Sequence, residues 1–413
     1  MAGGKLHYGW VVVGAGLLVT IGAHGFGRMS YTLILPAMKD GLSLDYAELG
    51  LLGTGNFVGY LIMAVAGGLL AARWGSRLVI TISLGLMGLT MILTGLAHSF
   101  AWAWSMRFLT GLGNGGAYVP AMALGSAWFA ANRRGFATGI VSAGIGGGTM
   151  IAGILVPLVL TADSQEGWRQ AWYILGGAVL AIAALAACLV RARPQEMGLS
   201  PVGVDPASEA AATSPTRPGG LAWGSVFRVG AVWYLGLVYM MYGFSYIIYA
   251  TFFAAYLVKE LGQSNAMAGG LWALVGGLSI FCGVLWGGIS DKLGRGRGAA
   301  LAYFTLAISY LIMALLRMPA GFYLSAVIFG LTAWSIPTIM AAAAGDQVGP
   351  SLAPAGLGFI TLFFGLGQAL GPAVGGYLAD AAKSFVLPLL LATAVSLLGS
   401  VLAWRLRPRP AKV

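Results

Sequence analysis

The sequence predicts an all-α integral membrane protein, with twelve transmembrane helices arranged as two pseudo-symmetric six-helix bundles. Three observations carry this reading. Hydrophobic residues make up 59% of the 413-residue chain and charged residues only 8%, against about 25% charged in an average soluble domain. Apolar runs of the roughly 20 residues needed to cross a bilayer as a helix recur from one end to the other. The second half of the chain also repeats the layout of the first. The short alternating segments of a transmembrane barrel are absent.

In chain order the predicted spans are 10–36, 47–71, 78–98, 101–128, 136–161 and 170–190, then 230–257, 267–289, 299–317, 320–344, 355–378 and 385–405. The first run is too long for a signal-peptide core and is interrupted by His24 and Arg28, so no cleavable leader is expected. Between the sixth and seventh spans lies the one long polar stretch, Arg191 to Arg228, rich in Pro, Ser, Thr and Gly from Pro206 to Gly220. This reads as a flexible linker. It divides the chain into an N-terminal bundle (1–192), a linker (193–228) and a C-terminal bundle (229–413).

The net charge of +11 does not indicate nucleic acid, because the basic residues sit in short loops between apolar runs. Lys5, Arg73, Arg77, Arg133, Arg134, Arg191, Arg193, Arg217, Arg228, Lys292, Arg295, Arg297, Arg405, Arg407, Arg409 and Lys412 fall on one face. Only Lys39, Arg169, Lys259, Arg317 and Lys383 fall on the other. The positive-inside rule makes the first face cytoplasmic, with both termini inside, in the plasma (inner) membrane of the cell. Cys188 and Cys282 both lie in apolar segments, so free thiols are expected, with no disulfide and no metal site.

The repeat shows at two places. An offset of 219 residues aligns the start of the Gly68–Arg77 loop with that of Gly287–Arg297. An offset of 218 lays Gly25-Phe26-Gly27-Arg28-Met29-Ser30-Tyr31 on Gly243-Phe244-Ser245-Tyr246-Ile247-Ile248-Tyr249. A parallel repeat of this kind is a transporter architecture, with the binding site between the halves near the midplane.

These residues resemble the major facilitator superfamily over essentially the whole chain. The Gly287–Arg297 loop matches its signature of Gly, small or apolar residues, Asp, a basic residue, Gly and further basic residues. The first-half copy has Ala72 where the family usually has Asp. Arg107-Phe108-Leu109-Thr110-Gly111-Leu112-Gly113-Asn114-Gly115 resembles the family's Arg-Gly motif of span four. Gly139–Pro157 and Gly365–Gly376 resemble the glycine-rich motifs of spans five and eleven. Tyr8-Gly9-Trp10 and Arg193–Leu199 look like the monocarboxylate and oxalate/formate branch. That branch typically carries an Arg in span eight, and here span eight has no charge before its basic end. The resemblance implies that spans one, four, seven and ten line a central cavity.

Ionisable side chains inside an apolar span are functional-site candidates by default, since a central Arg costs about 2.5–3.5 kcal/mol on insertion scales. Arg28 offers a planar fork for a carboxylate; the alternative is a structural Arg bonded to backbone carbonyls. His24, one turn away on the same face, is a proton-coupling candidate because imidazole titrates near neutral pH; the alternative is a neutral His bonded to a neighbouring helix. Around them, Tyr31, Asn114, Tyr118, Tyr242, Tyr246, Tyr249 and Trp334 are the substrate-binding candidates, each with helix–helix packing or hydrogen bonding as its alternative. Gln368 reads as an amide joining helices, and Pro337 as a kink in span ten. On family analogy Arg107 is structural or gating, and Arg73, Arg77, Asp291, Lys292 and Arg295 form gating loops.

No nucleophile–base set, paired carboxylate or Walker ending occurs in a span, so neither an enzyme nor a cofactor is expected. The expected function is secondary active transport of a small organic anion, a monocarboxylate in the first instance and coupled to a proton through His24. A rocker-switch motion of the two bundles would drive it, in a monomer with the bilayer and the anion as partners. The competing expectation is an exporter of drugs or lipophilic compounds, which the aromatic content would suit.

Overall fold

Every predicted run folds as a helix, and six of the twelve helices outrun the prediction at both ends. The computed structural model describes residues 7–130, 133–162, 166–203, 227–348 and 352–406. Its long helices are α1 (Tyr8–Leu42), α2 (Tyr46–Trp74), α3 (Ser76–Gly95), α4 (Phe100–Trp128), α5 (Arg134–Ala162) and α6 (Gly167–Leu189), followed by α7 (Gly230–Glu260), α8 (Asn265–Leu293), α9 (Arg295–Leu315), α10 (Pro319–Val348), α11 (Ala353–Ala382) and α12 (Val386–Trp404). Eleven of them are long and apolar enough to cross a membrane. The twelfth, α4, is 29 residues long, but glycines, Arg107 and Asn114 dilute its apolar content. Residues 204–226, most of the predicted linker, lie outside the described residues, as do Lys5, Arg217, Arg407, Arg409 and Lys412.

Local sequence sets several ends. Asp45 and Glu48 form a reciprocal capping box at the start of α2, Glu48 N–H to Asp45 Oδ1 at 2.7 Å and Asp45 N–H to Glu48 Oε2 at 3.0 Å, which satisfies two otherwise orphaned donors. Ser264 caps α8 through the Met267 N–H at 3.1 Å. The basic turns of the two halves reverse on Gly75 and Gly294, 219 residues apart, with φ of +85° and +86°. Only glycine takes that conformation without strain. The repeat therefore extends to backbone detail.

Three helices are not continuous α-helix, α7 among them, whose last turn, Tyr256–Glu260, is π-wound. In α1, residues Ile21–Met29 are wound as π-helix, with the Ser30 N–H reaching back five residues to Gly25 O at 3.0 Å. In α10 the helix breaks between Thr332 and Ser335. Pro337 explains the break: it has no N–H to offer the carbonyl four residues back. That carbonyl, of Ala333, accepts the Tyr242 hydroxyl instead.

The two bundles meet along two antiparallel seams, α5 against α8 and α2 against α11. Small residues let the backbones touch, as expected where lipid supplies no hydrophobic drive between helices. A Cβ on Gly153 would fall 2.5 Å from Ala273 N, and one on Gly276 would fall 2.5 Å from Met150 N. On the other seam, Cβ atoms on Gly50 and Gly376 would fall 2.1 Å from Pro372 O and Tyr46 O. The Thr54 hydroxyl donates to Ala369 O at 2.6 Å. The described contacts of both seams lie in the middle and on the side away from the basic turns. Towards the basic turns, a Cβ on Gly135, Gly139, Gly287 or Gly288 would meet nothing within 4 Å.

Polar bridges reinforce the closed side. Asp380 at the end of α11 accepts the Ala47 N–H at the start of α2 at 2.6 Å, and Lys259 of α7 pairs with Asp40 of α1. The residues expected to gate the basic side make their bonds within their own half. Arg77 Nε donates to Ala187 O at 2.7 Å. Arg295 pairs with Asp291 and, at 3.5 Å, with Asp346. The Arg73 guanidinium lies 6.0 Å from the Trp74 ring.

Candidate functional site

The π-wound stretch of α1 carries both intramembrane ionisable residues of the first span and presents them to the middle of the molecule. His24 is 5% exposed and Arg28 is 7% exposed. Long π segments are rare and concentrate at functional sites. This one is held from outside its own helix. Asn114 Nδ2 of α4 donates to Ala23 O. Two helical turns away, Arg107 Nη1 donates to Gly27 O at 3.0 Å. From the other bundle, Trp272 Nε1 of α8 donates to Met29 O at 3.0 Å. A close backbone approach completes the seat: a Cβ on Gly25 would lie 2.4 Å from Gly148 Cα of α5.

Arg28 projects between the halves. One Nη lies 3.4 Å from His24 Nε2, and the other donates to the Tyr246 hydroxyl at 3.3 Å. Tyr246 is the residue that an offset of 218 places on Arg28, so equivalent positions of the repeat meet across the pseudo-twofold. Gln368 Nε2 of α11 donates to the same hydroxyl. The Tyr246 oxygen thus accepts from two N–H groups and keeps its own proton to offer to a third partner. The guanidinium carbon sits 4.3 Å from the Phe57 ring centroid and 5.0 Å from that of Tyr60, a geometry that stabilises a cation through the ring faces.

The remaining wall is aromatic. His24 packs on Tyr118 with ring centroids 4.0 Å apart and meets Tyr60 edge-on at 5.7 Å. Tyr242 stacks on Tyr246 at 4.5 Å, and Tyr239 stacks on Phe364 at 4.5 Å. Among the described residues neither Arg28 nor Arg107 makes an ion pair. Buried polar atoms without a hydrogen-bond partner include Arg28 Nε, His24 Nδ1, Arg107 Nε, Asn56 Oδ1, Asn114 Oδ1 and Gln368 Oε1. No three His, Cys, Asp or Glu side chains among the described residues could hold a metal ion, and both cysteines are free.

The structure thus gathers Arg28, His24, Tyr118, Tyr246 and, behind it, Tyr242 into one centre. The other candidates are turned elsewhere. Asn114 supports the α1 backbone. The Tyr31 hydroxyl donates to Leu49 O at 2.7 Å, and the Tyr249 hydroxyl pairs with Ser325 at 2.8 Å inside the C-terminal bundle. Trp334 lies edge-on to Phe329, 6.0 Å away. The sequence reading passed over Phe57, Tyr60 and Trp272. Phe57 and Tyr60 stand three apart on one face of α2, a spacing that could have marked an aromatic platform. Nothing local to Trp272 signals a bond to a helix of the other half.

Comparison with known proteins adds what geometry leaves open. At the level of fold, a bacterial homologue of the human lysosomal transporter Spinster, solved in an inward-facing and unoccupied conformation, superposes with a TM-score of 0.79 at 20% identity over 99% of this chain and all of that one. By sequence, a protein named probable sulfoacetate transporter SauU of Cupriavidus necator is 26% identical across 92% of this chain and 90% of its own length. Monocarboxylate transporter 12 of Rattus norvegicus is 25% identical across 96% and 84%. The sequence pattern of the Major Facilitator Superfamily matches residues 17–361. With two six-helix bundles meeting around the buried Arg28 and Tyr246, the chain is a member of the Major Facilitator Superfamily.

Proposed function

We propose that this protein is a secondary active transporter of a small organic anion, whose carboxylate is held by Arg28. One observation carries the reading: a guanidinium midway along a candidate membrane span, almost wholly buried, with no carboxylate paired to it among the described residues. An unpaired charge in that position is costly, and an anionic ligand would offset the cost. Arg28 Nε is unsatisfied, and the Tyr246 hydroxyl has a proton to donate beside it. Relatives named for sulfoacetate and monocarboxylate transport support the same class. A monocarboxylate is the simplest anion that would meet this requirement.

Transport follows alternating access. The halves, 1–192 and 229–413, rock about the Arg28–Tyr246 contact. The seams closed here open on that side while the parted, basic side closes. The basic side is cytoplasmic by the charge count, so the conformation described is inward-facing and both termini lie in the cytoplasm of a cell bounded by this plasma membrane. His24, touching both Arg28 and Tyr118, is the group that couples a proton. The aromatic wall would also suit a lipophilic cargo, but such a cargo would leave Arg28 uncompensated.

Uptake of labelled lactate, pyruvate and sulfoacetate into proteoliposomes, with and without an inward proton gradient, tests the proposal. Saturable uptake of at least one carboxylate is expected, faster with the gradient. No uptake across the panel would exclude the anion reading, and gradient-independent uptake would remove His24 from coupling.

A further inference from the structure

Arg107 is the second intramembrane guanidinium, and the anion reading does not use it. It is 1% exposed. Its Nη1 supports Gly27 O, and its charge rests 4.7 Å from the Tyr31 ring and 5.1 Å from the Trp172 ring. Its Nε has no partner, and no acid pairs with it among the described residues. Arg107 and Arg28 line one cavity with Asn56 and Phe57 from the N-terminal bundle and Ala250 and Thr251 from the other. The free volume is about 20 Å³, room for roughly one water. Its walls come from both bundles on the closed side, so the motion that parts the seams would enlarge it.

Two uncompensated guanidiniums therefore face one cavity, each with an unsatisfied Nε donor. A single carboxylate neutralises one of them and leaves the other uncompensated in a medium of low dielectric, where a lone charge is costly. A ligand with two anionic groups neutralises both, and charge-assisted bonds to each fork are stronger than neutral ones. Asn56, whose Oδ1 is unsatisfied, lines the same cavity and can accept from a hydroxyl between the two ends. From this arrangement we infer that Arg107 is a second anion-binding residue and that the substrate is a compact dianion, a short carbon chain with an anionic group at each end. This rests on the assignment of Arg28 to the first carboxylate. Arg107 meets the second group once the closed side opens, and the bound dianion draws the two bundles together over the site.

The test compares dianions with their monomethyl esters, which carry one charge fewer and one methyl group more. Malonate and succinate, and their monomethyl esters, are titrated against the full-length protein by calorimetry and by counterflow in proteoliposomes at neutral pH. Each dianion should bind about tenfold or more tightly than its monoester, the scale of one charge-assisted interaction. In Arg107→Gln the ratio should fall to about one, and Arg107→Lys, which keeps the charge, should retain part of it. A ratio near one in the unaltered protein overturns the inference. So does an Arg107→Gln protein that weakens both ligands in parallel, since a purely structural Arg107 would do that. The comparison within the unaltered protein stands even if Arg107→Gln fails to fold. Failure of the first assignment looks different: Arg28→Gln would leave dianion and monoester binding intact.

Discussion

α1 and α7 occupy the same place in the two halves of the repeat and use it in opposite ways. Their frames agree. Gly25 of α1 touches Gly148 of α5, and its equivalent Gly243 of α7 touches α11, a Cβ there falling 2.3 Å from Phe364 O. Their contents differ. α1 is π-wound over Ile21–Met29 and carries His24 and Arg28. α7 is regular α-helix from Gly230 to Ala255 and carries the stack of Tyr239, Tyr242 and Tyr246. One half supplies the fixed charge, and the other supplies hydroxyls and ring faces. Because Arg28 and Tyr246 are equivalent positions that meet near the pseudo-axis, the asymmetry is concentrated at the site, while the surrounding helix packing stays symmetric.

The largest break in that comparison is Arg28→Gln. It should lower affinity for a small carboxylate by about 100-fold or more, the scale of losing a desolvated charged partner, read by calorimetric titration. Gly25→Ala attacks the shared frame instead. Its methyl would enter the α5 backbone, at a cost of about 1–3 kcal/mol for overpacking, seen as a lower thermal midpoint of the purified protein. Gly14→Ala on the same helix, where a Cβ would meet nothing within 4 Å, should leave the midpoint unchanged or raise it. Equal effects of the two would show that the α1–α5 contact is not as close as described.

Much of this was legible in the sequence. Length, apolarity and the basic loops locate all twelve helices, and the offset of 218 pairs Arg28 with Tyr246. Pro337 announced the break in α10. What stayed hidden has a common cause. Buried membrane helices are apolar on nearly every face, so their periodicity does not say which side meets which neighbour. Tyr249 follows the spacing of Tyr242 and Tyr246 yet turns its hydroxyl to Ser325, and Tyr31 spends its own on Leu49 O. The π winding was also illegible, since its support comes from Asn114, Arg107 and Trp272, residues 80 to 243 positions away along the chain.

A smaller break tests the other partner. Tyr246→Phe removes one hydroxyl that receives Arg28 and Gln368 and faces the proposed anion. A typical hydrogen bond contributes about 0.5–1.5 kcal/mol net, so carboxylate affinity should fall about 3–10-fold in the same titration, well short of the Arg28→Gln loss. A loss as large as that of Arg28→Gln would mean that the hydroxyl, rather than the charge, organises the site.

The smallest expected effect concerns the bond that ties the special segment of α1 to the opposite bundle. Trp272 is fully buried in α8, and its indole N–H holds Met29 O at the end of the π stretch. Trp272→Phe keeps an aromatic ring against Phe253, whose centroid lies 5.1 Å away, but leaves that carbonyl without its donor from the other half. The bond bridges the bundles on the closed side, so its loss should favour opening there by about 1 kcal/mol, roughly a fivefold shift. A cysteine replacing Ala250, which lines the closed cavity, reports the shift as faster labelling by a membrane-impermeant thiol reagent, in a background where Cys188 and Cys282 are serines. Affinity for the anion should change less than labelling, because Trp272 touches the α1 backbone and not the Arg28 side chain. If labelling is unchanged while affinity drops, Trp272 acts on the winding of α1 itself, and the asymmetry between α1 and α7 would then be imposed partly from the opposite bundle.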